Sequence, residues 1–186
     1  VQFYQIHFCV LDSQHAQRCN REGRFMKRLL LLTTGGTIAS RLTEEGLAPG
    51  MDGTTLAHYL GGVMNNYDLT VRDILQLDSS NIQPEEWKLI ANHVYEAYPH
   101  YDGIIISHGT DTMAYTAAAL SYLIQDSYKP IVITGSQRPM EMDVTDAKTN
   151  LLDSLRYASW SKASGVNIVF GGKVIAGTRA RKMNTK

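Results

Sequence analysis

Two threonine-bearing segments hold the residue types from which a hydrolytic site is built. Thr34-Gly35-Gly36-Thr37 ends the apolar run Leu29 to Leu32, and His108-Gly109-Thr110-Asp111-Thr112 follows the apolar run Ile104 to Ile106. A strand buried on both faces of a parallel sheet reads as such an uninterrupted run. In open α/β sheets the ligand crevice lies beyond the carboxyl ends of the strands. Two hydroxyls delivered to that edge by two strands suit nucleophilic chemistry, and Gly35 and Gly36 let backbone N–H groups approach a substrate with no Cβ in the way. Asp78-Ser79-Ser80-Asn81, Ile133-Thr134-Gly135-Ser136-Gln137 and Gly177-Thr178-Arg179-Ala180-Arg181-Lys182 are further segments where an apolar stretch gives way to small, polar or charged side chains.

Each segment also has a purely structural reading. Thr37 suits the N-cap of a helix after a glycine turn, and Asp111 suits the N-cap of the helix that Met113 opens. Ser79 and Ser80 fit a loop ahead of Pro84. Lys182 fits a solvated charge in a basic stretch with Arg179, Arg181 and Lys186. Gln137 and Arg138 suit either a pocket wall or the solvent.

In order and together, the five segments resemble the bacterial-type asparaginase and glutaminase family, with the cytoplasmic type I asparaginases nearest; the likeness runs from Met26 to the last residue. Five motifs in register are far more specific than one hexapeptide. The resemblance implies a three-layer α/β/α sandwich with a mainly parallel sheet. It implies an amidohydrolase that converts L-asparagine and water to L-aspartate and ammonia through an aspartyl ester on Thr37. An amide is a poor electrophile with a poor leaving group, so the reaction needs an activated nucleophile, a base and donors for the oxyanion. By the same resemblance Lys182 takes a proton from Thr110, Asp111 orients Lys182, and Asp78, Ser79, Ser80 and Asp111 hold the substrate. A free amino acid presents a carboxylate and an ammonium, which those hydroxyls and carboxylates match.

Further expectations follow from the family. Residues 26–186 are read as its N-terminal catalytic domain without the C-terminal domain, inactive or nearly so alone, and a homodimer or homotetramer when full length. Between Thr37 and Pro49 the family has a mobile lid that often carries a tyrosine near the nucleophile; Leu47 stands at the aligned position, so no phenol is available there. No cofactor, metal, nucleic acid or membrane partner is implied, and a cytoplasmic location is. The rival readings are the amidase subunit of an archaeal-type tRNA amidotransferase and a non-catalytic amino-acid-binding fragment.

The elements that must position these residues alternate in type, the pattern of a parallel sheet with crossover helices. Strands are expected at Arg28 to Thr33, Leu69 to Leu77, Gly103 to Ser107, Pro130 to Thr134 and Val166 to Phe170. Helical stripes run through Trp87, Ile90, Ala91, Val94 and Tyr98, through Met113, Ala117, Leu120 and Ile124, and through Ala147, Leu151, Leu155 and Ala158. A short helix is expected at Thr55 to Leu60, and Gly171-Gly172 reads as a hairpin turn into Val174 and Ile175. The 186 residues carry 18 basic and 18 acidic side chains, so no charge excess draws the chain to nucleic acid or an anionic membrane. No apolar run reaches the length of a membrane span. Cys9 and Cys19 both fall in the first twenty residues and give neither a disulfide framework nor a metal-ligand spacing. Residues 1–25 show no period and no signal-peptide pattern, and are read as a disordered extension or a mis-assigned start; an edge strand at Phe3 to Leu11 is the alternative. There is no G-x-x-x-x-G-K-[ST], G-x-G-x-x-G, G-x-S-x-G or H-E-x-x-H, which removes the common nucleotide, serine-hydrolase and zinc-protease readings.

Overall fold

The computed structural model describes residues 26–43, 46–49, 55, 58–59, 61 and 66–183. Strand β1 (Arg28–Gly35) lies inside a six-stranded sheet, and each of Leu29, Leu30, Leu31 and Leu32 is fully buried. Successive strand side chains point to opposite faces, so a strand covered on both sides must be apolar throughout. Leu30 and Leu32 pack on the face shared with helix α1 (Pro84–Ala97) and helix α2 (Met113–Leu123). Leu29 and Leu31 pack on the opposite face with helix α3 (Ala147–Ser159), through Leu151 and Leu155. Each such leucine contributes about 1.5–3 kcal/mol by leaving water. The result is the three-layer α/β/α sandwich expected from the sequence.

The remaining strands are the hairpin β2 (Ser40–Thr43) and β3 (Gly46–Pro49), then β4 (Asp68–Leu77), β5 (Gly103–Ser107), β6 (Pro130–Thr134), β7 (Gly165–Phe170) and β8 (Lys173–Ala176). The sheet order is β4-β1-β5-β6-β7-β8, with every pair parallel except β7 and β8. From β1 the chain moves outward to β4 and then returns to β5 on the other side of β1. The strand order therefore reverses at β1, and its crevice opens beyond the carboxyl ends of β1 and β5. Both threonine motifs sit there, since Thr33 pairs with Ser107 in register.

Helix starts follow their sequence signals. Pro84 occupies the first turn of α1, where its missing N–H costs nothing, and a capping box joins Gln83 to Glu86, whose Oε2 accepts from the Gln83 N–H at 2.7 Å. At α2 the sequence reading needs a correction: the N-cap is Thr112 rather than Asp111, and neither side chain caps the helix. The segment expected as a lid forms the β2–β3 hairpin, with Leu42 paired to Leu47. The helix expected at Thr55 to Leu60 lies mostly, and Cys9, Cys19 and the edge strand at Phe3 to Leu11 wholly, outside the described residues.

Candidate active site

Backbone contact joins the first two arms of the site. Thr34 Oγ1 donates to the Ser107 carbonyl at 2.8 Å, and Thr33 Oγ1 donates to the Asp73 carboxylate, so the last β1 hydroxyls lock the strand to both neighbours. Gly36 has φ +79°, and a Cβ there would sit 2.5 Å from the Gly109 Cα. Only glycine allows the exits of β1 and β5 to touch in this way. Thr37 comes next and opens a single 3₁₀ turn, Thr37–Ala39, anchored by the fully buried Ile38. The half-buried Thr37 thus stands one residue from the chain segment that leads into Thr110.

The third arm comes from the far end of the chain. After β8 a 3₁₀ turn at Gly177–Arg179 presses onto α2, where a Cβ on Gly177 would lie 2.8 Å from the Ala117 carbonyl oxygen. That close approach carries the following residues back across the carboxyl edge of the sheet. Lys182 Nζ then donates to Thr110 Oγ1 at 3.0 Å and to Asp111 Oδ1 at 2.6 Å. The Lys182 side chain keeps only 22% of its exposure, whereas Asp111 keeps 60%. Lys182 is therefore not the solvated basic-stretch residue of the structural reading. A cavity of about 280 Å³ adjoins the cluster, with Thr110, Lys182 and Gln137 on its polar side and Met113, Phe170 and Ile175 on its apolar wall.

At the end of β4, Asp78 to Asn81 form a 3₁₀ turn rather than an open loop. Asp78 Oδ1 accepts from both the Ser80 N–H and the Ser80 hydroxyl at 2.8 Å, and these bonds hold its carboxyl below the usual carboxylate range. Asp78 and Ser80 are thus engaged with each other. Ser79 is buried and stands against Gly109, where a Cβ would lie 2.5 Å from the Ser79 hydroxyl oxygen, and Thr112 Oγ1 donates to the Ser79 carbonyl at 2.7 Å. The turn is thereby tied to the Thr110 segment.

Sequence reasoning missed the clamp on the fourth arm. The Asp146 carboxylate accepts from the backbone N–H of Gln137 and of Arg138, while buried Asn150 donates to the Gly135 carbonyl at 2.9 Å and accepts from the Gly171 N–H at 2.9 Å. An asparagine on the inner face of α3 breaks its apolar stripe, and that is the signal by which it could have been found. Arg138 turns away to the Val144 carbonyl at 3.2 Å. Among the described residues no group of three or more His, Cys, Asp or Glu side chains is placed to hold a metal, and no helix is long and apolar enough to cross a membrane.

The strand order and the site define an α/β domain with a hydroxyl–amine–carboxylate cluster at the point where the sheet reverses. Residues 28–186 match the family model described as asparaginase, N-terminal, and the chain belongs to that family. It is 42% identical over 160 residues to an L-asparaginase of Thermococcus kodakarensis, covering 85% of this chain and 48% of that protein. The solved structure of the thermostable L-asparaginase from that organism superposes with a TM-score of 0.79 over 86% of this chain and 48% of the other. L-asparaginase 1 of Escherichia coli K12 is 36% identical over 162 residues, covering 84% of this chain and 47% of that one. A glutamyl-tRNA(Gln) amidotransferase polypeptide of Methanosphaera stadtmanae is 39% identical over 169 residues, covering 86% and 38%. The chain spans about half the length of the two asparaginases and less of the third relative.

Proposed function

We propose that residues 26–186 are the catalytic N-terminal domain of an L-asparaginase that hydrolyses L-asparagine to L-aspartate and ammonia. The observation that carries this reading is Lys182 Nζ held between Thr110 Oγ1 at 3.0 Å and Asp111 Oδ1 at 2.6 Å, residues 72 and 71 positions apart in the chain. The identity to two L-asparaginases supports the substrate.

In the first step Thr37 Oγ bonds to the side-chain carbonyl carbon of asparagine while its proton passes through a water to Thr110 and on to Lys182. The C–N bond then breaks, and the nitrogen takes that proton back along the same path and leaves as ammonia. Water attacks the resulting ester, the C–O bond to Thr37 breaks, and aspartate departs with the threonine hydroxyl restored. Lys182 takes the Thr110 proton, and Thr110 passes the demand on to water in the second step. Asp111 fixes the amine and, being largely exposed, offers its carboxylate to the substrate ammonium; the Ser79 hydroxyl serves the substrate carboxylate, while Ser80 is engaged with Asp78. With Leu47 in the hairpin no phenol assists at that position.

Activity is expected when the chain is joined to a C-terminal asparaginase domain, such as that of the Thermococcus kodakarensis relative, and not from the chain alone. In that joined protein Thr37→Ala abolishes ammonia release while Thr37→Ser retains part of it. Parental turnover by Thr37→Ala would remove Thr37 from the mechanism. The second reading, the amidase component of a tRNA amidotransferase, is favoured by the 39% identity to the Methanosphaera stadtmanae protein and requires a partner protein; asparagine hydrolysis without any partner excludes it as the sole role.

A further inference from the structure

His108 stands inside the site motif, fully buried, yet takes no part in the chemistry above. Its ring closes a chain of hydrogen bonds whose direction is fixed at both ends. The Trp87 indole N–H can only donate, and it lies 3.0 Å from Thr116 Oγ1. The single Thr116 proton is then available for His108 Nε2 at 2.9 Å. At the other end His108 Nδ1 lies 2.7 Å from the Gly109 carbonyl oxygen, which can only accept. Every donor and acceptor is matched when the ring is neutral with its hydrogen on Nδ1, and burial of the ring lowers its pKa and so favours the neutral form.

We propose that His108 is a positioning residue, its Nδ1–H pinning the Gly109 carbonyl and thereby aiming Thr110 and Asp111 at Lys182. A peptide unit is planar, so fixing the Gly109 carbonyl also fixes the plane that holds the Thr110 N–H and Cα. The backbone on the other side of the ring is held as well, with the His108 N–H donating to the Thr134 carbonyl at 2.7 Å. Packing alone does not explain the residue. An apolar ring of that size would fill the space, but it would leave the Gly109 carbonyl without this donor and the Thr116 proton without this acceptor. The relay runs from α1 through α2 to the exit of β5, so it ties both helices of one layer to the catalytic segment. Its effect on rate rests on the asparaginase reading; its effect on the geometry of the segment does not.

The test uses ¹⁵N spectra of the histidine ring and backbone amides in this chain, with variants at Thr116, which touches no reacting atom. At pH 7 His108 is expected to show a protonated Nδ1 and a bare Nε2, and on acidification to charge at a lower pH than an ordinary histidine. Thr116→Val should move the Nε2 resonance to that of an unbonded nitrogen and shift and broaden the amides of Gly109, Thr110 and Asp111. Thr116→Ser should restore both. In the protein carrying a C-terminal domain, Thr116→Val should lower kcat about tenfold with KM within about twofold, less than the hundredfold of a 1 Å misplacement. At pH 7 an Nε2–H tautomer or an imidazolium in the parent, or unchanged segment amides in Thr116→Val, overturns the proposal. If Thr116→Val does not fold, Trp87→Phe frees the Thr116 hydroxyl and should move the same resonances to a smaller degree; unchanged resonances overturn the proposal equally. Failure of the unsubstituted joined protein to release ammonia sinks the asparaginase reading, while the spectra still decide the relay.

Discussion

Replacing Gly36 by alanine separates backbone strain from loss of the contact that joins the two threonine motifs. At φ +79° an L-residue costs about 1–2 kcal/mol. The new methyl would also sit 2.5 Å from the Gly109 Cα, so the two loops must part by roughly 1 Å to reach ordinary contact, at about 1–3 kcal/mol for overpacking a tight site. The expected loss is about 2–5 kcal/mol, or a fall of roughly 4–20 °C in melting temperature for a domain of this size. Gly165 is the control: its φ is +70° and nothing lies within 4 Å of the position of a Cβ, so Gly165→Ala should show the strain alone, about 2–8 °C. Ammonia release should distinguish them further. Parting the Thr37 and Thr110 segments by about 1 Å should lower the rate on the order of a hundredfold, and Gly165→Ala should leave it near the parental value. Equal melting temperatures and equal rates for the two variants would refute the claim that Gly36 exists to let these loops touch.

Lys182→Met should lower asparagine hydrolysis by roughly a hundredfold to ten-thousandfold with a change in melting temperature of no more than a few degrees, because a partly exposed ion pair contributes only about 0–1 kcal/mol. Asn150→Leu strands the Gly135 carbonyl and the Gly171 N–H, and urea unfolding should show a loss of about 2–5 kcal/mol. The pKa of His108 is lowered from 6.5 by burial, so the folded chain binds fewer protons than the unfolded chain below that pH. Its contribution is complete above about pH 6.5 and is lost as the pH falls toward the depressed folded value, at no more than about 1.4 kcal/mol per pH unit. Urea midpoints between pH 8 and pH 5, with His108→Gln flattening the profile, check it. The depressed carboxyl of Asp78 acts in a separate and lower window, beginning near 3.8.

The strands were legible because burial on both faces leaves no room for ambiguity: Leu29 to Leu32 and Ile104 to Ile106 have nowhere to go but the middle of a sheet. The helices were legible from single stripes such as Ala147, Leu151, Leu155 and Ala158, which face one layer only. Resemblance, rather than spacing, carried Lys182. Nothing local distinguishes it from Arg179 or Arg181, since its partners arrive from 72 positions away, through the fit of Gly177 on α2. The α2 N-cap falls at Thr112 rather than Asp111; both types cap well in isolation, but here Thr112 bonds the Ser79 carbonyl and Asp111 bonds Lys182, so neither side chain caps the helix. The Trp87–Thr116–His108 relay was not legible, because Trp87 reads only as part of the α1 stripe and its partners, on α2 and just beyond β5, meet it only in space.

The central claim is that Thr37 carries the acyl group. Acid-quenching the joined protein during turnover of isotope-labelled L-asparagine, followed by peptide mapping, tests it most directly. An alkali-labile aspartyl ester is expected on the peptide containing Thr37, and none in Thr37→Ala. An ester on Thr110, or steady turnover with no ester trapped at Thr37, would contradict it.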